Sequence, residues 1–185
     1  MLDTNLLLDF LSIQAKEDKG QRLTDSLRRS KALKDKYVKK AFTSHASDWN
    51  LLEFRDVVEK LTEEKKLIDY GYNVSEFSEG RKELPLTEEE LAKVQAIVKE
   101  LCSFSVVATK EIDLASLHRI CALGFSTFDA LLLMQAHRID DCKYFVTRDK
   151  RLISGFKKKL VGILPSIRVL NPAEAMALLK APRNP

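Results

Sequence analysis

Four acidic residues, Asp3, Glu53, Asp129 and Asp149, sit where they could act together. Asp3 follows the short apolar lead-in Met1-Leu2 and opens a helical pattern. Glu53 falls in the second turn of a helix entered from a candidate strand. Asp129 starts a helix, and Asp149 stands just past the run Tyr144-Phe145-Val146-Thr147. If the strands are parallel, their carboxyl ends share one edge, the edge at which open α/β sheets bind ligands. Carboxylates gathered there repel one another unless a cation neutralises them. Hard oxygen donors of this kind suit Mg²⁺ or Mn²⁺. Taken singly, each has an ordinary structural use. Asp3 or Thr4 can cap a helix, Asp129 completes a capping box with Ser126, Asp149 can cap the next helix, and Glu53 can be a solvated helix residue.

The elements that must position these groups read as helices alternating with short strands. Apolar periodicity predicts helices over residues 4–14 and 24–40, a strand over 41–44, and a long helix capped by Ser47 or Asp48 and carrying Leu51, Leu52, Phe54, Val57, Val58 and Leu61. Residues 69–86, with Gly71, Gly80 and Pro85, read as a loop or insertion. Thr87 and Glu90 form a capping box ahead of an amphipathic helix, and residues 103–108 read as a buried strand. Asp113 then caps a helix that Gly124 ends, and a further helix runs over 130–138. The strand over 144–147, a basic helix, a strand over 167–170 and a helix begun by Asn171-Pro172 complete the chain, with a frayed tail over 181–185. Strands separated by helices need crossover connections. The expected fold is therefore α/β: a three-layer α/β/α sandwich around a mostly parallel central sheet. It forms one domain over 1–180, with a variable helical insertion at about 62–100.

Composition sets the outer limits. The chain has 185 residues, 31% of them charged and 45% hydrophobic, which describes one globular domain with a sizeable core. No apolar run reaches the length of a membrane span, and the leucine-rich start lacks a basic flank, so a cytoplasmic location is expected. Cys102, Cys121 and Cys142 are widely spaced and suggest neither a disulfide framework nor a zinc site. The net charge of +4 is unevenly spread. Basic residues crowd positions 16–40 and 148–159, flanking an acid-rich stretch, a distribution that would attract a polyanion through its phosphates. Trp49 lies four residues before Glu53 on the same helical face, where anchoring the helix is the expected role and stacking on a base the alternative.

Several of these segments resemble the PIN-domain nucleases. The matching pieces are Leu2-Asp3-Thr4-Asn5-Leu6-Leu7-Leu8-Asp9, Ser44 through Trp49-Asn50-Leu51-Leu52-Glu53, Phe128-Asp129-Ala130-Leu131-Leu132-Leu133, and Phe145-Val146-Thr147-Arg148-Asp149-Lys150. The resemblance implies a PIN-like fold and a divalent-metal-dependent endoribonuclease akin to the toxin of a toxin–antitoxin pair. Asp3, Glu53 and Asp129 would be the principal metal ligands, with Asp149 completing the cluster or serving a second ion. Asn5 and Thr147 would orient a carboxylate, a water or a phosphate, and Arg148, Lys150 and Arg151 would contact RNA. Partners implied are an RNA substrate, a neutralising antitoxin protein and a second copy of the chain.

The chain departs from the family pattern at three places. Only Met1 and Leu2 precede Asp3, so either the first strand is very short or the native chain starts upstream. Lys150 and Arg151 stand where many members add another acidic residue, and residues 59–100 exceed the compact toxins in length. The rival reading is a catalytically inactive PIN-like module that binds RNA or protein.

Overall fold

The computed structural model describes residues 1–180, so the tail expected over 181–185 lies outside the described residues. Helix α1 (Thr4–Asp18) is followed by α2 (Asp25–Val38), strand β1 (Ser44–Ala46), α3 (Asp48–Asp69), α4 (Phe77–Glu83) and α5 (Glu88–Cys102). Strand β2 (Ser105–Val107), α6 (Leu114–Ala122), α7 (Thr127–Arg138), β3 (Tyr144–Val146), α8 (Lys150–Lys159), β4 (Arg168–Leu170) and α9 (Pro172–Lys180) complete the order.

This corrects the expected sandwich. Among the described residues the protein is mostly helical, with two separate two-stranded parallel sheets, β1 with β2 and β3 with β4, and no central sheet. Each strand has three residues. The lead-in to Asp3 reaches β3 through a single parallel bridge, Leu2 to Val146, and no bridge joins it to β1. Alternation of strand and helix patterns was therefore a sound guide to parallel pairing and a poor guide to sheet extent. Segments this short satisfy few backbone groups by pairing, and the helices bury most of the chain.

Local differences have similar causes. The first strand lies at 44–46, later than residues 41–44, because His45 and Ala46 are buried whereas Ala41 and Thr43 are exposed. Residues 69–86 contain a 3₁₀ turn, Val74–Glu76, and α4, where Phe77 and Gly80 pack inward. A Cβ on Gly80 would stand 2.7 Å from Leu67 Cδ2, so the glycine permits a close approach that a loop reading misses. β2 is largely exposed, contrary to its expected burial.

Two apolar clusters hold the helices. One gathers α1, α2, α3 and α5 around Phe10, Leu33, Tyr37 and Phe54. Tyr37 carries its hydroxyl into this cluster and donates it to the Leu101 carbonyl at 2.8 Å, so its polar end is satisfied. The other cluster surrounds α7, whose Ala130, Leu131, Leu132, Leu133, Met134, Gln135 and Ala136 are all buried, together with Phe145, Leu152, Phe156 and Leu160. A helix apolar on every side must be enclosed, and α7 is. Asp129 stands in its first turn, immediately before that buried run.

Candidate active site

Asp3 occupies the N-cap position of α1, yet its side chain makes no capping bond. Its Oδ2 instead accepts from the Thr147 hydroxyl at 2.5 Å and from Asn5 Nδ2 at 2.5 Å, and Asn5 Nδ2 also reaches Thr147 Oγ1 at 3.2 Å. The backbone fixes this arrangement. Asp3 N–H donates to the Val146 carbonyl at 2.9 Å, so the residue before α1 lies beside the end of β3 and Thr147 follows directly. Asp3 and Thr147 are both buried.

Glu53 is brought to the same place by α3, whose start is set by Ser47 accepting from Asn50 N–H. The Thr4 hydroxyl donates to Glu53 Oε2, and Asn50 Nδ2 donates to Thr4 Oγ1 at 3.1 Å. Thr4 and Asn50 are thus positioning residues that the sequence reading missed. The signal was available: Asn50 and Glu53 are three apart on one helix face. Asp129, half-buried, accepts from the Ser126 hydroxyl at 2.6 Å, while its own N–H donates to Ser126 Oγ.

These three carboxylates lie in one another's electrostatic fields. Burial pushes the Asp3 carboxyl up to about 7, against the Thr147 hydrogen bond, with the charges of Glu53 and Asp129 adding to the rise. Glu53 is also raised, first by burial and then by the Asp129 charge, with the Thr4 bond opposing. Among the described residues no Lys or Arg forms an ion pair with any of the three. The donor set fits a hard divalent cation in chemistry and charge. The side chains nevertheless stand apart: among the described residues no three His, Cys, Asp or Glu groups are gathered closely enough to hold an ion.

Asp149 is placed differently. Its Oδ1 accepts from Arg151 N–H at 2.7 Å and Leu152 N–H at 3.1 Å, so the carboxylate caps α8. Capping aims α8 so that Lys150, Lys157 and Lys158, with Arg29 and Arg148, line a groove of about 860 Å³ that also touches Asn5 and Asp149. Arg148 is committed elsewhere as well: its Nε pairs with the buried Asp9 at 2.9 Å and its Nη1 donates to Ser26 Oγ. Arg151 is exposed and does not line this groove. Trp49 is 38% exposed, so it does not anchor α3 in the core.

Among the described residues no helix is long and apolar enough to cross a membrane, and the three cysteines are free. Comparison with family models, with characterised proteins and with solved structures finds no match.

Proposed function

We propose that the protein is a divalent-cation-dependent endoribonuclease in which Asp3, Glu53 and Asp129 hold Mg²⁺ or Mn²⁺. The observation that carries this reading is the set of three carboxylates, none of them in an ion pair among the described residues, with Asp3 and Glu53 both raised first by burial and then further by the charge of other carboxylates. The likeness to PIN-domain nucleases rests on these residues and their helpers, not on a layered sheet.

A bound divalent cation would acidify a water for attack on phosphorus and neutralise charge developing on the phosphate oxygens. The chain's own groups do the positioning. Asn5 and Thr147 orient Oδ2 of Asp3, Thr4 held by Asn50 orients Glu53, and Ser126 orients Asp129. The basic groove along α8 provides cations for the phosphates of an RNA strand next to Asn5, and exposed Trp49 offers a face for a base. Asp149 serves chiefly by fixing α8, which favours one cation over two. A neutralising protein partner and a homodimer complete the reading and rest on the sequence resemblance alone, while a cytoplasmic location rests on the apolar patterning of the sequence.

The second reading, an RNA-binding module without cleavage, draws on the separation of the carboxylates and on the groove. One experiment distinguishes the two: end-labelled mixed-sequence RNA incubated with Mg²⁺, with Mn²⁺ and with EDTA, using the parent chain and Glu53→Gln. Cleavage is expected only with metal and is expected to fall roughly 10²-fold or more in the variant. RNA retained but uncut by folded protein under every condition would establish the binding module instead.

A further inference from the structure

Of the nine phenylalanines only Phe128 is exposed, at 45%. The one tryptophan, Trp49, is exposed too. Exposed Tyr70 and Tyr144 have a hydroxyl to present to water, whereas the Phe128 ring has no polar atom and would gain from burial. The two residues also share a position. Phe128 directly precedes Asp129, and Trp49 lies one helical turn before Glu53 on the same face. Each is the second residue of its helix, Trp49 in α3 and Phe128 in α7.

A helical side chain leans toward the N-terminus of its own helix, so a ring at the second position lies over the helix start and not along its body. α3 and α7 pack against each other, and the charge of Asp129 is felt at Glu53, so both rings border one set of carboxylates. The cationic groove along α8 meets the same site at Asn5, which lines the groove and donates to Asp3. Cations that follow a phosphate backbone, combined with open aromatic faces, are how proteins hold single-stranded nucleic acid. An unpaired base can leave its neighbours for a side chain, whereas a duplex keeps its bases stacked on one another.

We propose that Phe128 and Trp49 each stack on a base of an RNA strand, beside the phosphate that the carboxylates face, and so restrict the site to unpaired nucleotides. The groove supplies attraction for any polyanion, and the two rings supply the discrimination. This inference takes its ligand from the ribonuclease reading above, but stacking needs neither metal nor cleavage and is measured without them.

Because Trp49 is the one tryptophan, its fluorescence reports on this site alone. The test titrates the full chain in EDTA with an oligouridylate 2′-O-methylated against cleavage, with the same strand annealed to its complement, and with an abasic strand of equal length. The free strand is expected to quench Trp49 emission, while the duplex and the abasic strand, drawn to the same cations, leave it unchanged. Phe128→Ala is expected to weaken binding of the free strand roughly tenfold and to leave the abasic strand unaffected, with Phe128→Tyr restoring the parent affinity. Quenching by the abasic strand, or equal binding of the free strand by parent and Phe128→Ala, would overturn the proposal. Metal-dependent cleavage by a protein that shows no quenching would overturn stacking and leave the nuclease reading standing, whereas failure to bind any strand would remove both.

Discussion

Asp3→Asn is expected to unfold at a higher temperature than the parent chain at pH 8 without added metal, and to lose metal-dependent cleavage. The Asp3 carboxyl rises from its ordinary 3.8 to about 7 in the folded protein, chiefly through burial. The folded state therefore holds its proton more tightly than the unfolded chain does. Stability contributed by this group is full below pH 3.8, declines as pH rises, and is gone above about 7. At roughly 1.4 kcal/mol per pH unit the loss is about 4 kcal/mol as an upper bound, and asparagine avoids it because it carries no charge. We expect a gain of roughly 2–4 kcal/mol at pH 8 that shrinks toward pH 4, measured by urea unfolding of both proteins across that range. Mg²⁺ should narrow the gap by stabilising the parent alone. A variant no more stable than the parent at pH 8 would show that the buried carboxylate is not under strain.

The second large effect concerns stability at a residue expected from sequence to touch RNA. Arg148→Ala should cost about 2–3 kcal/mol. Asp9 is buried, and its Oδ2 accepts from Ser30 Oγ at 2.6 Å and Arg148 Nε at 2.9 Å. Removing the guanidinium leaves a buried carboxylate with a single hydroxyl, and breaking a buried pair from one side costs about 3–5 kcal/mol. The Arg148 side chain is 38% exposed, so solvent already screens the pair and the loss falls below that range. Burial already holds the Asp9 carboxyl above its usual range, with Ser30 and Arg148 opposing. Without Arg148 it rises further, so the defect should grow from acid to neutral pH. Urea unfolding of Arg148→Ala, Asp9→Asn and the double variant measures the coupling. A single Arg148→Ala variant as stable as the parent would remove the pair from the account.

Helix starts were legible in the sequence wherever one side chain decides them. Ser47, Thr87, Asp113, Ser126 and Asp149 all accept from N–H groups in the first turns that follow them. The side-chain work of Asp3 was not legible, because a carboxylate before a helix looks the same whether it caps or turns to Thr147, 144 residues away. The sheet was overread for a related reason. Apolar runs such as Phe145-Val146 show burial and not pairing length, and three-residue strands leave no trace of where a ladder stops. Asp9 and Ser30 meet through the packing of α1 against α2, and Arg148 reaches Asp9 from the turn between β3 and α8, a convergence that no local pattern encodes. Trp49 followed a general tendency of aromatics toward burial that its place near the start of α3 overrides.

The central claim is that Asp3, Glu53 and Asp129 together take up a divalent cation, and Mn²⁺ binding followed by electron paramagnetic resonance tests it most directly. Titration at pH 8 should deplete the free-ion signal with about one ion per chain, and Asp3→Asn and Glu53→Gln should each weaken binding by roughly 10-fold or more while remaining folded. Mn²⁺ left free by the parent protein, or bound equally by all three, would contradict the claim.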